Sequence, residues 1–370
     1  MILFEILFYS FIVIVGIQVI FYGFIYGKFA LIKQKKVSSS ALPVSVIICA
    51  KNEARNLKEN LPFIVSQSYP TFEIVLINDS SSDDTMEVME TFKKDNDTIK
   101  IVHVEPVEKF WGNKKYALTL GIKAAKYNTL LFTDADCKPL SKHWISEMSA
   151  RFDSEKALVL GYGPYQKTKG SLLNLLIRFE TFMTAIQYFS YTTIGLPYMG
   201  VGRNLAYRKE LFFEANGFIN HMDIKSGDDD LFVNQIATPK NTTICISKSS
   251  FTESIPKRTF KSWCLQKRRH ISTASHYKLK HKILLALFYC SQFLFWIVAI
   301  ALLTMFYQWQ YVLGLVVLRF ITQYVTLYSA SKKLKEKNLI IYTPILELLL
   351  IIIQFFIFMQ NLSSKPKHWK

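Results

Sequence analysis

Two carboxylates one residue apart, Asp134 and Asp136, close the apolar run Leu130-Leu131-Phe132. Side chains at i and i+2 of a strand share a face, so both acids can reach one ligand from a strand end. Such a pair suits Mg²⁺ or Mn²⁺ held jointly with substrate phosphates. A lone D-x-D also occurs in ordinary turns and helix caps, so its weight depends on its company. Three more acids, Asp228-Asp229-Asp230, precede Leu231-Phe232-Val233. They make a good helix N-terminus, yet three exceed what capping needs, and their mutual repulsion raises at least one pKa. Gln266-Lys267-Arg268-Arg269-His270 brings guanidinium forks that match phosphate, or else a juxtamembrane basic patch. Gly200-Val201-Gly202 leaves the backbone beside Arg203 open to close approach by a ligand.

The elements that position these groups are legible in outline. Val44–Ala50 is a short β-branched run that suits a strand buried on both faces, and Lys51-Asn52-Glu53 leads from it into a helix to about Ser66. Further strands are expected at 73–79, 100–104, 129–133 and 157–161, and a helix at 113–126. Ser80-Ser81-Ser82-Asp83 has the polar chemistry of a helix start. Alternating strands and helices predict an α/β fold, a mostly parallel sheet with helices on both faces. In such sheets ligands bind beyond the carboxyl ends of the strands. Ala50 to Glu53, Asp79 and the Asp134/Asp136 pair all fall there. No G-x-G-x-x-G follows the first strand and no G-x-x-x-x-G-K-[ST] occurs, which counts against a dinucleotide dehydrogenase and a P-loop ATPase.

Half of the 370 residues are apolar, and the excess gathers at the two ends. Ile2–Tyr26 is long enough to span a bilayer and reads as an uncleaved anchor. Three more candidates follow at Ile283–Thr304, Gln310–Tyr328 and about Leu339–Leu362. The expected organisation is an anchor at 1–27, a basic linker at 28–41, a globular domain at 42–280 and a C-terminal membrane region at 281–370 with two to three hydrophobic helices. The net charge of +17 sits beside the apolar runs: Lys28, Lys33, Lys35 and Lys36 after the first, Lys257 to Lys282 before the second, and Lys332 to Lys337 between the third and fourth. That placement is the positive-inside pattern; it predicts an integral membrane protein with a cytoplasmic globular domain, attracts anionic lipids, and excludes nucleic acid as a partner. Four full crossings would carry Lys365, Lys367 and Lys370 to the far side, and the last run contains Glu347 and Pro344. Whether it crosses, re-enters or lies along the interface is left open by sequence. Sequons at Asn96 and Asn241 are expected to stay unmodified in a cytoplasmic domain. Cys49, Cys137, Cys245, Cys264 and Cys290 show no zinc spacing and read as buried free thiols.

Val44–Glu53, the turn Ile77–Asp83, the Asp134/Asp136 pair, Gly227-Asp228-Asp229-Asp230-Leu231 and Gln266–His270 resemble, in order, the motifs of inverting family 2 glycosyltransferases with a GT-A fold. Cellulose, chitin and hyaluronan synthases and ceramide glucosyltransferases are of this kind. The resemblance covers about residues 42–275. It implies that Ala50, Asn52 and Glu53 border the nucleotide and that Asp79 hydrogen-bonds the base, where the bland alternative is an Asx turn. Lys114, in Trp111-Gly112-Asn113-Lys114-Lys115, matches a basic position near the diphosphate, although Lys115 is an equal candidate by sequence. Asp134 and Asp136 would meet a metal-diphosphate, with Asp136 the direct ligand. Asp228 aligns with the general base, with Asp229 next. Gln266, Arg269 and Arg203 would contact the diphosphate and the acceptor. His270 stands where the family carries Trp, which weakens a polymerising reading. His221 and His276 read as ordinary packing or surface histidines.

The resemblance implies a membrane-bound enzyme that moves a sugar from a nucleotide sugar, UDP-linked by expectation, to an acceptor hydroxyl with inversion and with Mg²⁺ or Mn²⁺. The position at the bilayer favours a lipid-linked acceptor or a polysaccharide or glycolipid precursor. The rival reading is a catalytically silent membrane scaffold or nucleotide-sugar-binding protein that keeps the fold; the intact acidic set argues against it. A nucleotidyltransferase is a second rival, but Ala50–Arg55 has no Gly-rich loop.

Overall fold

The computed structural model describes residues 2–33, 42–105, 114–224 and 226–363. Trp111 to Asn113, Lys35, Lys36 and the C-terminal lysines lie outside them. Helix α1 (Ile2–Val19) passes through a π-helical stretch, Ile20–Tyr26, into α2 (Gly27–Leu31), a continuous apolar rod. The chain then alternates as expected: β1 (Val44–Ala50), α3 (Ala54–Val65), β2 (Phe72–Asp79), α4 (Thr85–Lys94), β3 (Ile99–Val104), α5 (Lys114–Ala124) and β4 (Thr129–Phe132). These four strands are mutually parallel, with β1 between β2 and β4. Period-2 alternation divides their side chains between two cores. Ile47, Val75 and Ile77 face α5, whereas Val46, Ile48, Ile74 and Leu76 face α3 and α4.

After β4 come β5 (Cys137–Pro139), α6 (Trp144–Ser149), β6 (Leu158–Leu160), α7 (Leu172–Thr193), β7 (Leu205–Arg208), α8 (Lys209–Glu214), α9 (Asp230–Ile236), β8 (Thr242–Ile244), β9 (Thr252–Ser254) and α10 (Phe260–Thr273). The sheet order is β3-β2-β1-β4-β7-β6-β8. Strand β7 runs antiparallel to both neighbours, while β6 and β8 are parallel, so one strand of seven is reversed. Sequence patterning showed β6 but not β5, β7, β8 or β9. Each of these is three or four residues long, too short to carry a period.

Three long helices follow: α11 (Leu279–Thr304), α12 (Trp309–Leu334) and α13 (Thr343–Ser363), the last preceded by a 3₁₀ turn at Lys337–Tyr342. Together with the N-terminal rod they give four helices long and apolar enough to cross a membrane. Phe11, Ile14 and Val15 of α1 pack with Phe295, Val298 and Leu302 of α11 and Val312 of α12. Deeper toward the sheet sits a polar knot. Arg319 pairs with Glu347, its Nη1 3.0 Å from Oε2, and donates to Gln323 and Gln18. Gln292 donates to Glu347 and to the Tyr22 hydroxyl. Buried among apolar side chains, these groups bond to one another, with only the Arg319 Nε among them left without a hydrogen-bond partner, and tie α1, α11, α12 and α13 together.

The thiols differ from expectation in part. Cys137 and Cys245 are buried, Cys49 and Cys264 are half-buried, and Cys290 is exposed on α11. In a membrane helix an outward thiol meets lipid rather than water, so apolar burial of the residue needs no protein neighbour.

Candidate functional site

Strand β4 ends at Phe132, so Asp134 and Asp136 stand in the turn that leads into β5, and not on one strand face. The turn itself brings them together. The Cys137 N–H donates to the Asp134 carbonyl at 3.0 Å, and the carboxylates and the Cys137 thiol lie within 4.8 Å of one another. Burial, and then the Asp136 charge, holds the Cys137 thiol well above its usual pKa, so it stays protonated and the two carboxylates remain as donors. Two carboxylates with room for other oxygens fit Mg²⁺ or Mn²⁺. Burial and the Asp134 charge raise the Asp136 pKa, the condition a divalent cation relieves.

Of the two lysines, Lys114, at the first turn of α5, is the one that faces the acids. Its ammonium lies 2.9 Å from Asp134 and 3.0 Å from Asp228. Burial works against its charge, but these two carboxylates outweigh that and hold its pKa well above the usual value. Lys115 points away and donates to the carbonyls of His221 at 2.6 Å and Ile224 at 2.7 Å. It thereby fastens the loop that delivers Asp228. His221 is buried, as a packing histidine.

The three consecutive acids have three different environments. Burial would raise Asp228, yet the Lys114 ammonium wins and holds it below the usual range. Asp229 caps α9 and accepts the Gly202 N–H at 2.6 Å. Burial first, then the Asp228 and Asp230 charges, pushes it up to about 7. Asp230 is turned inward, taking hydrogen bonds from Thr273 and from Tyr277, the latter at 2.6 Å, which anchor α10 to α9. Gly202 matters through its backbone: a Cβ there would sit 3.3 Å from the Asp229 carboxylate.

Arg203 stacks on Tyr165, 4.2 Å from the ring centre, and donates to the Ser254 hydroxyl at 2.9 Å. Gln266 and Arg269 of α10 face the same space, and the Gln266 amide oxygen is buried without a hydrogen-bond partner. Asp134, Asp136, Lys114, Glu53, Arg203, Asp228, Asp229, Gln266 and Arg269 all line one cavity of about 980 Å³. Ala50, Asn52 and Asp79 are not among its lining residues. Ala50 is buried at the end of β1. The Asn52 side chain, on a residue with φ of 56°, accepts the Ser82 N–H and so ties the two strand-end loops together. Asp79 is buried, with Lys51 4.0 Å away and one oxygen without a hydrogen bond. Burial raises its pKa, which Lys51 and Lys114 partly offset.

Helix α7 contributes a wall that no motif in the sequence announces. Glu180, Thr181, Thr184, Gln187 and Tyr188 line the cavity opposite α10. Glu180 pairs with Lys267 at 2.5 Å and accepts from Thr184. A lone acid inside the apolar run Leu172–Thr193 was the available signal. The same cavity continues to Leu285 of α11 and to Leu350, Ile353, Gln354 and Ile357 of α13. His270 also lines it.

The sheet order and the acids at its strand ends define a GT-A glycosyltransferase fold. The chain belongs to glycosyl transferase family 21, whose model matches residues 12–370, which agrees with the family 2-like resemblance of its motifs. It is similar to the poly-beta-1,6-N-acetyl-D-glucosamine synthase of Staphylococcus epidermidis, 38% identical over 93 residues, covering 25% of this chain and 21% of that protein. It is also similar to glycosyltransferase AglE of Haloferax volcanii, 28% identical over 200 residues, covering 51% of this chain and 60% of that protein. The chain thus spans between about a fifth and three-fifths of the length of these curated relatives. Among solved structures, a Pyrobaculum calidifontis mannosyltransferase in complex with GDP-Man and Mn²⁺ matches with a TM-score of 0.59 at 19% identity, covering 89% of this chain and 98% of that one. At that identity the likeness concerns the fold.

Proposed function

We propose that this protein transfers a sugar, with inversion, from a nucleotide sugar to a hydroxyl of a lipid-borne acceptor at the membrane surface, its catalytic domain being cytoplasmic. The observation that carries this reading is the cavity of about 980 Å³ that joins the acids of the sheet to Leu285 of α11 and the apolar Leu350, Ile353 and Ile357 of α13. One continuous space therefore offers charge at one end and hydrocarbon at the other, as an amphipathic acceptor requires. The basic juxtamembrane stretches from Lys257 to Lys282 and at Lys332 and Lys333 support the cytoplasmic orientation.

The acceptor oxygen attacks the anomeric carbon from the face opposite the diphosphate. The new C–O bond forms as the old one breaks, the electron pair leaves with the nucleoside diphosphate, and the hydroxyl proton passes to a base. The motif resemblance implies Asp228 first for that role. The geometry favours Asp229, because the Asp228 carboxylate is engaged by Lys114, whereas Asp229 is fixed by the Gly202 N–H and has a proton affinity matched to neutral pH. Asp134 and Asp136 would hold Mg²⁺ or Mn²⁺, which when bound neutralises charge on the departing diphosphate. Lys114, Arg203 and Arg269 supply the fixed positive charge around it. A UDP-linked donor is the preferred expectation.

Release of nucleoside diphosphate by the purified full chain from a panel of nucleotide sugars, with Mn²⁺ or with EDTA, tests this. One donor turned over only with metal is the expected result. Binding of a donor without turnover, even with membrane lipid extract added, would favour the silent nucleotide-sugar-binding alternative.

A further inference from the structure

We propose that α13 is not a fourth membrane span: it lies within the membrane half nearest the catalytic domain, with both ends on that domain's side, and forms the floor of the acceptor cavity. Hydrogen bonds to two arginines, one at each end, place it. Before the helix, Glu336 and Asn338 are bound by Arg178 of α7, Nη2 to Asn338 at 2.8 Å. At the other end, Asn361 accepts from the Arg268 side chain at 3.1 Å and donates to the Arg268 carbonyl of α10 at 2.9 Å. Helices α7 and α10 are the two walls of the active-site cavity, so a helix of 21 residues, about 31 Å long, begins and finishes beside the same domain.

The packing between those ends agrees. The far ends of the true spans meet where Phe4 stacks on Tyr307 at 5.5 Å and Phe8 approaches Tyr311 at 6.5 Å. The apolar core of that far half, from Phe11 to Val312, includes no described residue of α13. Leu346 and Leu350 belong instead to the core shared with α7 and the sheet. Helix α13 crosses α11 once, at Tyr289 to Phe293, where the Tyr289 hydroxyl donates to the Ile351 carbonyl at 3.0 Å and Phe293 stacks on Phe355 at 5.7 Å. The Arg319–Glu347 pair is then the fixing point that holds an oblique apolar helix at that depth.

The two faces of α13 have different occupants. Leu350, Ile353 and Ile357 look into the cavity, whereas Phe356, Phe358 and Leu362 are exposed and meet the hydrocarbon of the adjoining leaflet. An acceptor whose tail lies in that leaflet can reach the cavity alongside α13 without leaving the bilayer. The charge rule is also met, because a returning chain keeps Lys365, Lys367 and Lys370 on the side of the other basic clusters.

The topology is read on the full chain in a bacterial inner membrane, with a C-terminal fluorescent protein that matures only inside or a phosphatase active only outside. Impermeant maleimide on Lys240→Cys reports the side of the catalytic domain. The C-terminal reporter is expected on the same side as Lys240→Cys; a reporter on the opposite side overturns the proposal. This readout needs no activity, so it stands or falls separately from the transferase reading, on which the acceptor part rests. For that part, Ile353→Trp is expected to raise the KM for a lipid acceptor by about tenfold or more through overpacking of the floor. Val317→Trp, on the lipid face of α12, is the control and should not change it. An unchanged acceptor KM in Ile353→Trp removes α13 from the acceptor site.

Discussion

Replacing Asp229 by Asn separates catalysis from stability, because the two should move in opposite directions. The Asp229 carboxyl is pushed from its ordinary 3.8 up to about 7 by burial and by its two acidic neighbours. A group with a raised folded-state pKa contributes stability that is full below the unfolded value and is lost as pH rises through the folded one. The interval from 3.8 to about 7 corresponds to roughly 4 kcal/mol at pH 8, withheld from the native state by an ionised Asp229. Asn carries no charge and keeps one acceptor oxygen, so it loses one of the two hydrogen bonds, from Gly202 and from Asp230, at about 1 kcal/mol. The variant should therefore be more stable than the parent by about 3 kcal/mol at pH 8, with no such gain at pH 4. Its turnover should fall by about 10²–10⁴, the usual worth of a general base. The parent kcat should rise with pH through about 7 and then level off. Thermal unfolding in detergent at several pH values and steady-state rates provide the assay. A variant that keeps more than about a tenth of parent turnover, well above that range, refutes the assignment and returns the role to Asp228. A stability gain that does not grow with pH refutes the electrostatic argument.

Lys114→Met leaves Asp134 and Asp228 facing each other without their shared cation, and should destabilise by on the order of 3 kcal/mol; an unchanged Tm in detergent would show that solvent already screens the pair. Asp230→Asn weakens the Thr273 and Tyr277 hydrogen bonds that anchor α10, so stability should drop by about 1–3 kcal/mol and acceptor KM should rise more than donor KM; equal changes in both would contradict an anchoring role. Arg319→Met should cost about 3–5 kcal/mol by stranding Glu347, and Arg319→Met with Glu347→Leu should recover much of the loss; purely additive losses in a double-mutant cycle would show that the two side chains are not coupled.

The parts of this protein that sequence revealed are those with a period or a spacing. Val44–Ala50 and Phe72–Asp79 are long enough to show strand patterning, and long apolar rods announce themselves by length. The acids of the site were named because each stands at the end of such an element. Sequence did not show how Asp228, Asp229 and Asp230 divide their work, since that depends on Lys114 arriving from α5, Gly202 from the β7 approach and Tyr277 from beyond α10. Nor did it show the α7 wall, because Glu180 and Gln187 meet Lys267 and the cavity only through tertiary packing. The i, i+2 spacing of Asp134 and Asp136 suggests a strand face, while the chain brings the two carboxylates together in a turn. The last helix shows the limit of hydropathy, which measures whether a segment can cross and not where its ends are tied.

In the proposed reaction sugar leaves a nucleotide and arrives on a membrane lipid. The direct measurement follows labelled sugar from a panel of nucleotide sugars into the organic-extractable fraction, using the full chain reconstituted in lipid bilayers with Mn²⁺. One labelled, solvent-extractable glycolipid is expected, absent with EDTA and absent from Asp229→Asn. Label that remains entirely in water, as free sugar or as soluble glycan, while nucleoside diphosphate is still released, would contradict a lipid acceptor.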